Sequence, residues 1–122
     1  MEGRRKRIRC YPFKISEWYA GLSAQEQADT DEFIKDMCGS REWKMPYYRP
    51  RLHDTDGLGE LRWKSENKQH RLIGFLSYEV FYALVGCTHK QQIYKPPDAL
   101  DTAGKRKGQI ERGEVNTVEY DL

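Results

Sequence analysis

The sequence predicts an α+β domain in which amino-terminal helices cover one face of a small, mainly antiparallel sheet and a carboxyl-terminal helix follows. Its 122 residues are enough for one hydrophobic core and too few for two sizeable ones. Helical patterns fill the first third, strand patterns begin near residue 58, and a last helical segment comes after them. We therefore interpret residues 1–122 as one domain with the order β, α, α, β, β, β, α.

A strand and a brief helix are expected first. Ile8 to Phe13 has a strand pattern, and Pro12 places either a strand end or a sheet edge there. Ser16 is a suitable N-cap for a short helix through Leu22.

A longer second helix should begin after Ser23. Ser23 and Glu26 have the spacing of a capping box, and Gly39 is suited to end the helix. A broad apolar face recurs between them, formed by Ala28, Phe33, Ile34, Met37 and Cys38.

The connector from Ser40 to Asp56 contains Pro46 and Pro50, which exclude a regular helix. It interleaves aromatic and basic residues, namely Trp43, Lys44, Tyr47, Tyr48, Arg49 and Arg51. Such a mixture can stack bases and hold phosphates. Alternatively, the aromatic side chains pack on the sheet edge, which is the interpretation we favour. Arg51 is retained as a candidate phosphate-binding residue.

The next segment predicts a strand with one charged face. Glu60, Arg62 and Lys64 alternate with Leu61 and Trp63, the period of two that a half-buried strand requires. His70 to Leu76 has the pattern of a second strand, so the two should form a hairpin.

The hairpin register decides what lies opposite Arg71. A two-residue turn at Glu66-Asn67 pairs Arg71 with Arg62, and a turn at Asn67-Lys68 pairs it with Lys64. Either register opposes like charges, which destabilises a sheet, and such conflicts concentrate at functional sites. We therefore expect an anion to bind there, and we expect removal of the Arg71 charge to leave stability unchanged or slightly raised.

A central strand and a last helix complete the fold. Val80 to Val85 is a continuous apolar run, typical of a strand buried on both faces. It should deliver His89 and Lys90 to the sheet rim, beside the charged face of the hairpin. Pro96-Pro97 can start a helix that runs to about Arg112, and the last residues form a short strand or tail.

The composition argues against several classes of protein and of structural site. No apolar run approaches the roughly 18 residues of a membrane span, and the basic start Arg4–Arg7 is not followed by the apolar stretch of a signal peptide. We expect a cytoplasmic protein without membrane contact. The three cysteines are widely spaced and form no C-x-x-C pair, which argues against a disulfide framework or a zinc site.

The charges are segregated along the chain although the net charge is only +2. Most charged residues in the segment 17–36 are acidic, whereas the amino-terminal arm and residues 62–95 are rich in basic residues. This distribution is expected if one surface meets a polyanion. Solvated surface charges would give the same pattern.

One set of side chains combines acid, base and positive charge without the clustered carboxylates that would hold magnesium: Glu60, Arg62, Lys64, Arg71, His89 and Lys90. RNA carries its own nucleophile, the 2′-hydroxyl, so its cleavage needs only proton transfer and cations for the phosphorane. Metal-free and cofactor-free RNA cleavage therefore fits. Arg71 and Arg62 suit the phosphate, and His89 suits proton transfer. Glu60 either shares in that transfer or holds an arginine in place.

Four segments, in order from about residue 57 to residue 106, resemble the RelE-type toxins, specifically their HigB-like, phage-derived branch. Gly57-Leu58-Gly59-Glu60-Leu61-Arg62 resembles the G-L-W-E-L-R strand, and His70-Arg71-Leu72-Ile73 resembles the following strand. Leu84-Val85-Gly86 with His89-Lys90 is similar to the apolar strand that ends in two lysines. Pro96 or Pro97 with residues 99–107 resembles the closing helix. Departures are Gly59 for an aromatic residue, His89 for a lysine, and Tyr94-Lys95-Pro96 for K-T-P.

The resemblance implies a bacterial or phage type II toxin of the RelE/ParE superfamily. Such a toxin is an endoribonuclease that cuts messenger RNA, often in the ribosomal A site, and a cognate antitoxin, here of the helix-turn-helix HigA type, neutralises it. By position, Arg71 would stabilise the scissile phosphate, Arg62 would contact substrate, and His89 and Lys90 would transfer protons or bind phosphate. The related ParE toxins inhibit gyrase instead, so a non-catalytic binder of nucleic acid or protein is the alternative.

Overall fold

The computed structural model describes residues 6–120, which form a mixed α+β fold with three helices and seven strands. The elements are β1 Arg7–Cys10, α1 Lys14–Ala20, α2 Ala24–Cys38, β2 Tyr48–Arg49, β3 Gly59–Ser65, β4 Lys68–Ser77, β5 Val80–Lys90, β6 Ile93–Lys95, α3 Ala99–Glu111 and β7 Val118–Glu119. Arg4 and Arg5 of the predicted basic arm lie outside the described residues.

The strands form one open, mostly antiparallel sheet in the order β2-β3-β4-β5-β1-β7, and β6 pairs with β5. The predicted class, a mainly antiparallel α+β fold, is confirmed. Among the strands of the described residues, β1 and β5 alone form a parallel pair. No helix among the described residues is both long and apolar enough to cross a bilayer.

The first strand and helix differ from the sequence prediction in detail. β1 ends at Cys10, before Pro12, and it lies between β5 and β7. Pro12 therefore marks a strand end and not a sheet edge. Ser16 lies inside α1 and donates its hydroxyl to the carbonyl of Phe13 (3.0 Å), which is the N-cap residue.

The predicted capping box of α2 is confirmed. The Ser23 hydroxyl accepts from the Glu26 amide (3.1 Å), and the Ser23 amide donates to Glu26 Oε1 (2.9 Å). Gly39 is the C-cap, with a φ of −85°. Ala28 is exposed, whereas Glu26 and Thr30 are buried with the apolar residues, so the buried face is more polar than expected.

The β3–β4 hairpin adopts the first of the two predicted registers. Glu66 and Asn67 form the turn, both with positive φ (51° and 61°), and Arg62 pairs with Arg71. Positive φ at both central residues is the conformation that matches the twist of the flanking strands.

The connector packs as we favoured. The Trp43 ring lies 5.4 Å from the Tyr48 ring and 5.6 Å from the Phe81 ring, and Tyr48 is buried. Tyr47 remains exposed. The two-residue strand β2 was not predicted.

Helices cover both faces of the sheet. Successive strand residues point to opposite faces, and Leu72 belongs to a cluster that contains Ile15 of α1 and Ile34 of α2. Ile73 belongs to a second cluster that contains Ala99 of α3. α1 and α2 therefore lie on one face of the sheet and α3 lies on the opposite face.

β5 is a central strand, as predicted, but it continues beyond Val85 to Lys90. β1 pairs with it as far as Ala83, and β6 pairs with it from Thr88 onward. Residues 84–87 consequently have no strand neighbour on that side within the described part of the chain, which leaves a gap in the sheet between α1 and α3.

Candidate functional site

Strand register brings most of the predicted site residues onto one face of the sheet. Arg62 pairs with Arg71, Arg49 pairs with Glu60, and His89 pairs with both Gln69 and Tyr94. Paired residues of adjacent strands share a face, and this is the face on which α3 packs. We call these residues the charged face: Arg49, Glu60, Arg62, Arg71, His89 and Tyr94.

Glu60 is the centre of the charged face. Its side chain is 3% exposed, and its Oε1 accepts a hydrogen bond from the Tyr94 hydroxyl (2.6 Å). Oε2 lies 3.4 Å from Arg62 Nε and 3.6 Å from Arg71 Nε. The alternation along β3 correctly placed Glu60 and Leu61 on opposite faces of the sheet. The face that carries Glu60 was expected to be solvated, but it is buried at this residue.

Arg71 is held inside the sheet. Its side chain is 5% exposed, Nη1 donates to the His70 carbonyl (3.0 Å) and Nη2 donates to Gln69 Oε1 (2.9 Å). Burial and the charge of Arg62 lower the pKa of Arg71. The hydrogen bonds oppose the repulsion on which the sequence-based expectation about stability rested, and Arg71 can reach a ligand only if they rearrange.

Both arginines retain an unsatisfied donor. Nε of Arg62 and Nε of Arg71 are buried and make no hydrogen bond to the residues that the structure describes. The Arg62 contact with Glu60 (3.4 Å) lacks hydrogen-bonding geometry, and the Arg71 contact (3.6 Å) is too long. Nη1 of Arg62 lies 3.1 Å from Met45 Sδ, a weak acceptor. Buried charged donors without partners are costly, so an entering anion would find hydrogen-bonding capacity here.

His89 is suited to accept a proton. Its ring packs edge to face on Tyr94, with 4.8 Å between centroids. Burial, followed by the charge of Arg71, lowers the pKa of His89 below its ordinary value of 6.5. The neutral imidazole that a general base requires is therefore favoured near neutral pH. Burial and the bond to Glu60 raise the pKa of Tyr94, which keeps its proton.

The other predicted site residues lie apart. Lys64 is exposed and pairs with Gln69 at the rim of the charged face. Lys90 is exposed and, as the residue after His89, points to the opposite face. Arg51 follows Pro50 in a loop, and it makes no hydrogen bond or ion pair to the residues that the structure describes. The structure does not bring Lys90 or Arg51 to the charged face.

Arg49 and Tyr94 are members that the sequence analysis did not select. Arg49 takes the place expected for Arg51, and its charge helps to lower the pKa of His89. The only signal was its position in the basic, aromatic connector. Tyr94 reaches His89 because Gln91 and Gln92 form a tight turn with positive φ. Glutamine is not a typical residue for such a turn, so the sequence analysis did not predict the β5–β6 hairpin.

The donor set of the charged face is nitrogen-rich and offers one carboxylate. Among residues 6–120, no three His, Cys, Asp or Glu side chains are arranged to hold a metal ion. Cys87 pairs with Arg71 and is buried. Burial and the charge of Glu60 raise the pKa of Cys87 to about 12, so its thiol stays protonated at neutral pH.

Comparison with known proteins gives no relative: no protein-family model, no curated protein and no solved structure matches the chain significantly.

Proposed function

We propose that the chain is a metal-independent endoribonuclease of the type II toxin–antitoxin class, similar to the RelE and HigB toxins. One observation carries the proposal: strand register places His89, with its lowered pKa, on the same face as two arginines with unsatisfied donors. A proton acceptor beside phosphate-binding groups is what cleavage by the RNA's own 2′-hydroxyl requires.

In this proposal the more accessible side chains act on the RNA and the buried ones act on their neighbours. His89 takes the proton of the 2′-hydroxyl, which attacks the adjacent phosphorus. Arg62, whose side chain is 21% exposed, binds the phosphate oxygens. Arg71, which is buried beside it, adds positive charge near the phosphate. Tyr94 and Glu60 position the arginines. The 5′-oxygen leaves with a proton from solvent, and the products carry a 2′,3′-cyclic phosphate and a 5′-hydroxyl.

The resemblance of residues 57–106 to the HigB-like branch extends this proposal to biology. The substrate would be messenger RNA that is cleaved on the ribosome. The partner would be a cognate antitoxin of the helix-turn-helix HigA type. Both place the protein in the cytoplasm. A neighbouring reading frame for a small helix-turn-helix protein would support the assignment.

Induction of the chain in bacteria, followed by primer extension on the extracted RNA, tests the activity. We expect growth arrest and discrete new 5′ ends in messenger RNA. Purified protein, with ribosomes if required, should cleave in the presence of a chelator, with the ribosome's own magnesium controlled separately. Loss of cleavage on removal of a protein-bound metal would contradict the metal-free mechanism.

A non-catalytic binder of nucleic acid, or of a protein such as gyrase, is the second candidate, and the burial of Arg71 and Glu60 favours it. A binder needs the accessible Arg62 but has no use for the imidazole of His89. Growth arrest with intact transcripts, retained in His89→Gln and lost in Arg62→Ala, would support this alternative over the ribonuclease.

A further inference from the structure

A cleft of about 590 Å³ opens at the gap beside residues 84–87 of β5. Its walls come from α1, from the ends of β4 and β5, and from α3 with the segment Lys95-Pro96. Within the sheet it adjoins the side of β4 that carries His70, which is opposite the side that carries Arg71. The cleft also reaches Cys87, the register partner of Arg71, but none of the six residues of the charged face lines it.

Cations outnumber acids in the cleft, although Lys68 Nζ lies 3.5 Å from Glu26 Oε2 and Lys14 Nζ lies 4.0 Å from Glu17 Oε1. Four cationic side chains line it against two carboxylates, the cations being Lys14, Lys68, Lys95 and Arg106 and the acids Glu17 and Glu26. Lys95, Thr88 and His70 are register partners across β6, β5 and β4, so they lie side by side. This row forms a polar floor with one cation at its end.

Arg106 is preorganised on the opposite wall. Its Nη1 donates to the Leu84 carbonyl (2.8 Å), and its guanidinium lies 4.9 Å from the centroid of the Tyr11 ring. Its other nitrogens make no hydrogen bond to the described residues. A guanidinium fixed at one nitrogen can present the remaining donors to a phosphate with little loss of side-chain entropy.

His70 is the second, independent sign of a ligand. Its side chain is 1% exposed, it lines the cleft, and neither ring nitrogen makes a hydrogen bond within residues 6–120. Nε2 lies 3.1 Å from Glu26 Oε2, outside hydrogen-bonding geometry. Buried polar side chains are hydrogen-bonded in most proteins, so a buried histidine that has this contact with Glu26 but no hydrogen bond indicates a missing polar group at the base of the cleft.

The remaining lining is apolar and has room for more than an inorganic ion. Trp18, Leu22, Val85 and Pro96 contribute to it. The Trp18 indole lies so close to Gly86 that a Cβ there would be 2.1 Å from Trp18 Cδ2, which fixes this wall. The volume falls within the range of small-molecule sites, about 300 to 1,000 Å³.

We propose that this cleft binds a nucleoside phosphate, with the phosphate held by Lys68, Lys95 and Arg106 and the base against the apolar wall. His70 contributes a hydrogen bond to the ligand. The site is independent of RNA cleavage at the charged face.

Titration of ¹⁵N-labelled protein with adenosine 5′-monophosphate, inorganic phosphate and adenosine tests the proposal by NMR. We expect the monophosphate to shift the amide signals of Trp18, Thr88 and Lys95 and the side-chain nitrogen signals of His70. Phosphate alone should shift the same signals more weakly, and adenosine should bind more weakly than its monophosphate.

The double variant Lys68→Ala, Lys95→Ala should weaken monophosphate binding by about tenfold or more, the usual effect of losing hydrogen bonds to a charged group. Lys35→Ala with Lys44→Ala removes the same charge outside the cleft lining and should leave the affinity unchanged. Equal weakening in both double variants, shifts confined to Arg62 and His89, or equal binding of adenosine would overturn the proposal. Because binding is read without RNA, failure here and failure of the ribonuclease proposal are distinguishable.

Discussion

At the scale of single residues, the charged face is organised by one buried carboxylate. Glu60 is shared by two arginines and one tyrosine, and the two arginines also repel each other across the β3–β4 pair. The repulsion is reduced because Glu60 lies near both guanidinium groups. Stability and substrate binding therefore depend on the same few contacts, so a substitution in the charged face should affect both.

Arg71→Met should lower the free energy of unfolding by about 1 to 3 kcal/mol, because its charged hydrogen bonds to the His70 carbonyl and to Gln69 are lost. Arg62→Met is the matched control, and its effect should be smaller since Arg62 is more exposed and has a weaker partner. Urea denaturation measures both. An Arg71→Met protein as stable as the wild type would show that relief of repulsion equals the lost hydrogen bonds.

His89 should govern the pH dependence of cleavage. Because burial and Arg71 lower its pKa, kcat/KM should rise with pH through a midpoint below 6.5 and then level off. Arg49→Gln removes one positive neighbour, so protonation of His89 becomes easier and the midpoint should move upward. His89→Gln should reduce the rate by roughly 10²- to 10⁴-fold. A pH profile that survives His89→Gln would exclude His89 as the base.

At the scale of elements, close approach at one glycine sets the distance between α1 and the sheet. The Trp18 ring occupies the space where residue 86 of β5 would carry a Cβ. Trp18 in turn contacts Trp63 of β3 edge to face, and Trp63 stacks on Phe33 of α2 and donates to Thr30. The positions of both amino-terminal helices are thus coupled through aromatic contacts.

Gly86→Ala should destabilise the fold by about 1 to 3 kcal/mol, because the Cβ forces α1 away from β5. Gly104→Ala provides a matched comparison on α3, where a Cβ meets nothing within 4 Å. It should raise stability by about 0.5 to 1 kcal/mol through helix propensity. Thermal unfolding of the two variants should therefore shift in opposite directions, and a shared direction would contradict this account of the packing.

At the scale of the whole molecule, positive charge is concentrated on particular surfaces although the net charge is +2. The accessible cations of the charged face and its rim are Arg49, the partly exposed Arg62 and Lys64, and a separate group lines the cleft at the sheet gap. Polyanion binding therefore depends on which surface is used, and salt dependence reports how many cations take part.

Binding of single-stranded RNA by the charged face should weaken with salt, with a slope of log K against log salt of about −2, since three cations each contribute about −0.7. Lys64→Ala should reduce the slope by about 0.7. Lys35→Ala, on the exposed side of α2, should not change it. Fluorescence anisotropy over a salt series measures the slope, and an equal effect of the two variants would mean that RNA does not bind the charged face.

Local interactions explain which parts of the fold could be predicted. The capping box of α2 depends on Ser23 and Glu26 alone, and the β3–β4 register depends on the turn at Glu66-Asn67. Each is decided within a few residues. The sequence therefore limited the partner of Arg71 to Arg62 or Lys64, and the structure has Arg62.

Contacts distant in sequence explain what was missed. Arg49 joins the site because β2 pairs with β3, and Tyr94 joins because β6 folds back on β5. The burial of Glu60 and Arg71 likewise depends on neighbouring strands and on α3, which no pattern within β3 or β4 reveals.

By itself the sequence determined the mixed α+β class, the capped second helix, the central strand and the set of charged side chains available for chemistry. Only the tertiary structure decided which of these residues meet. Arg49, and not Arg51, lies on the charged face, and Lys90 points to the face opposite His89. The helix α3 packs on the face opposite α1 and α2. The physical reason is that turn and cap conformations are fixed by neighbours in the chain, whereas burial, pKa and side-chain orientation are fixed by packing between segments far apart in it.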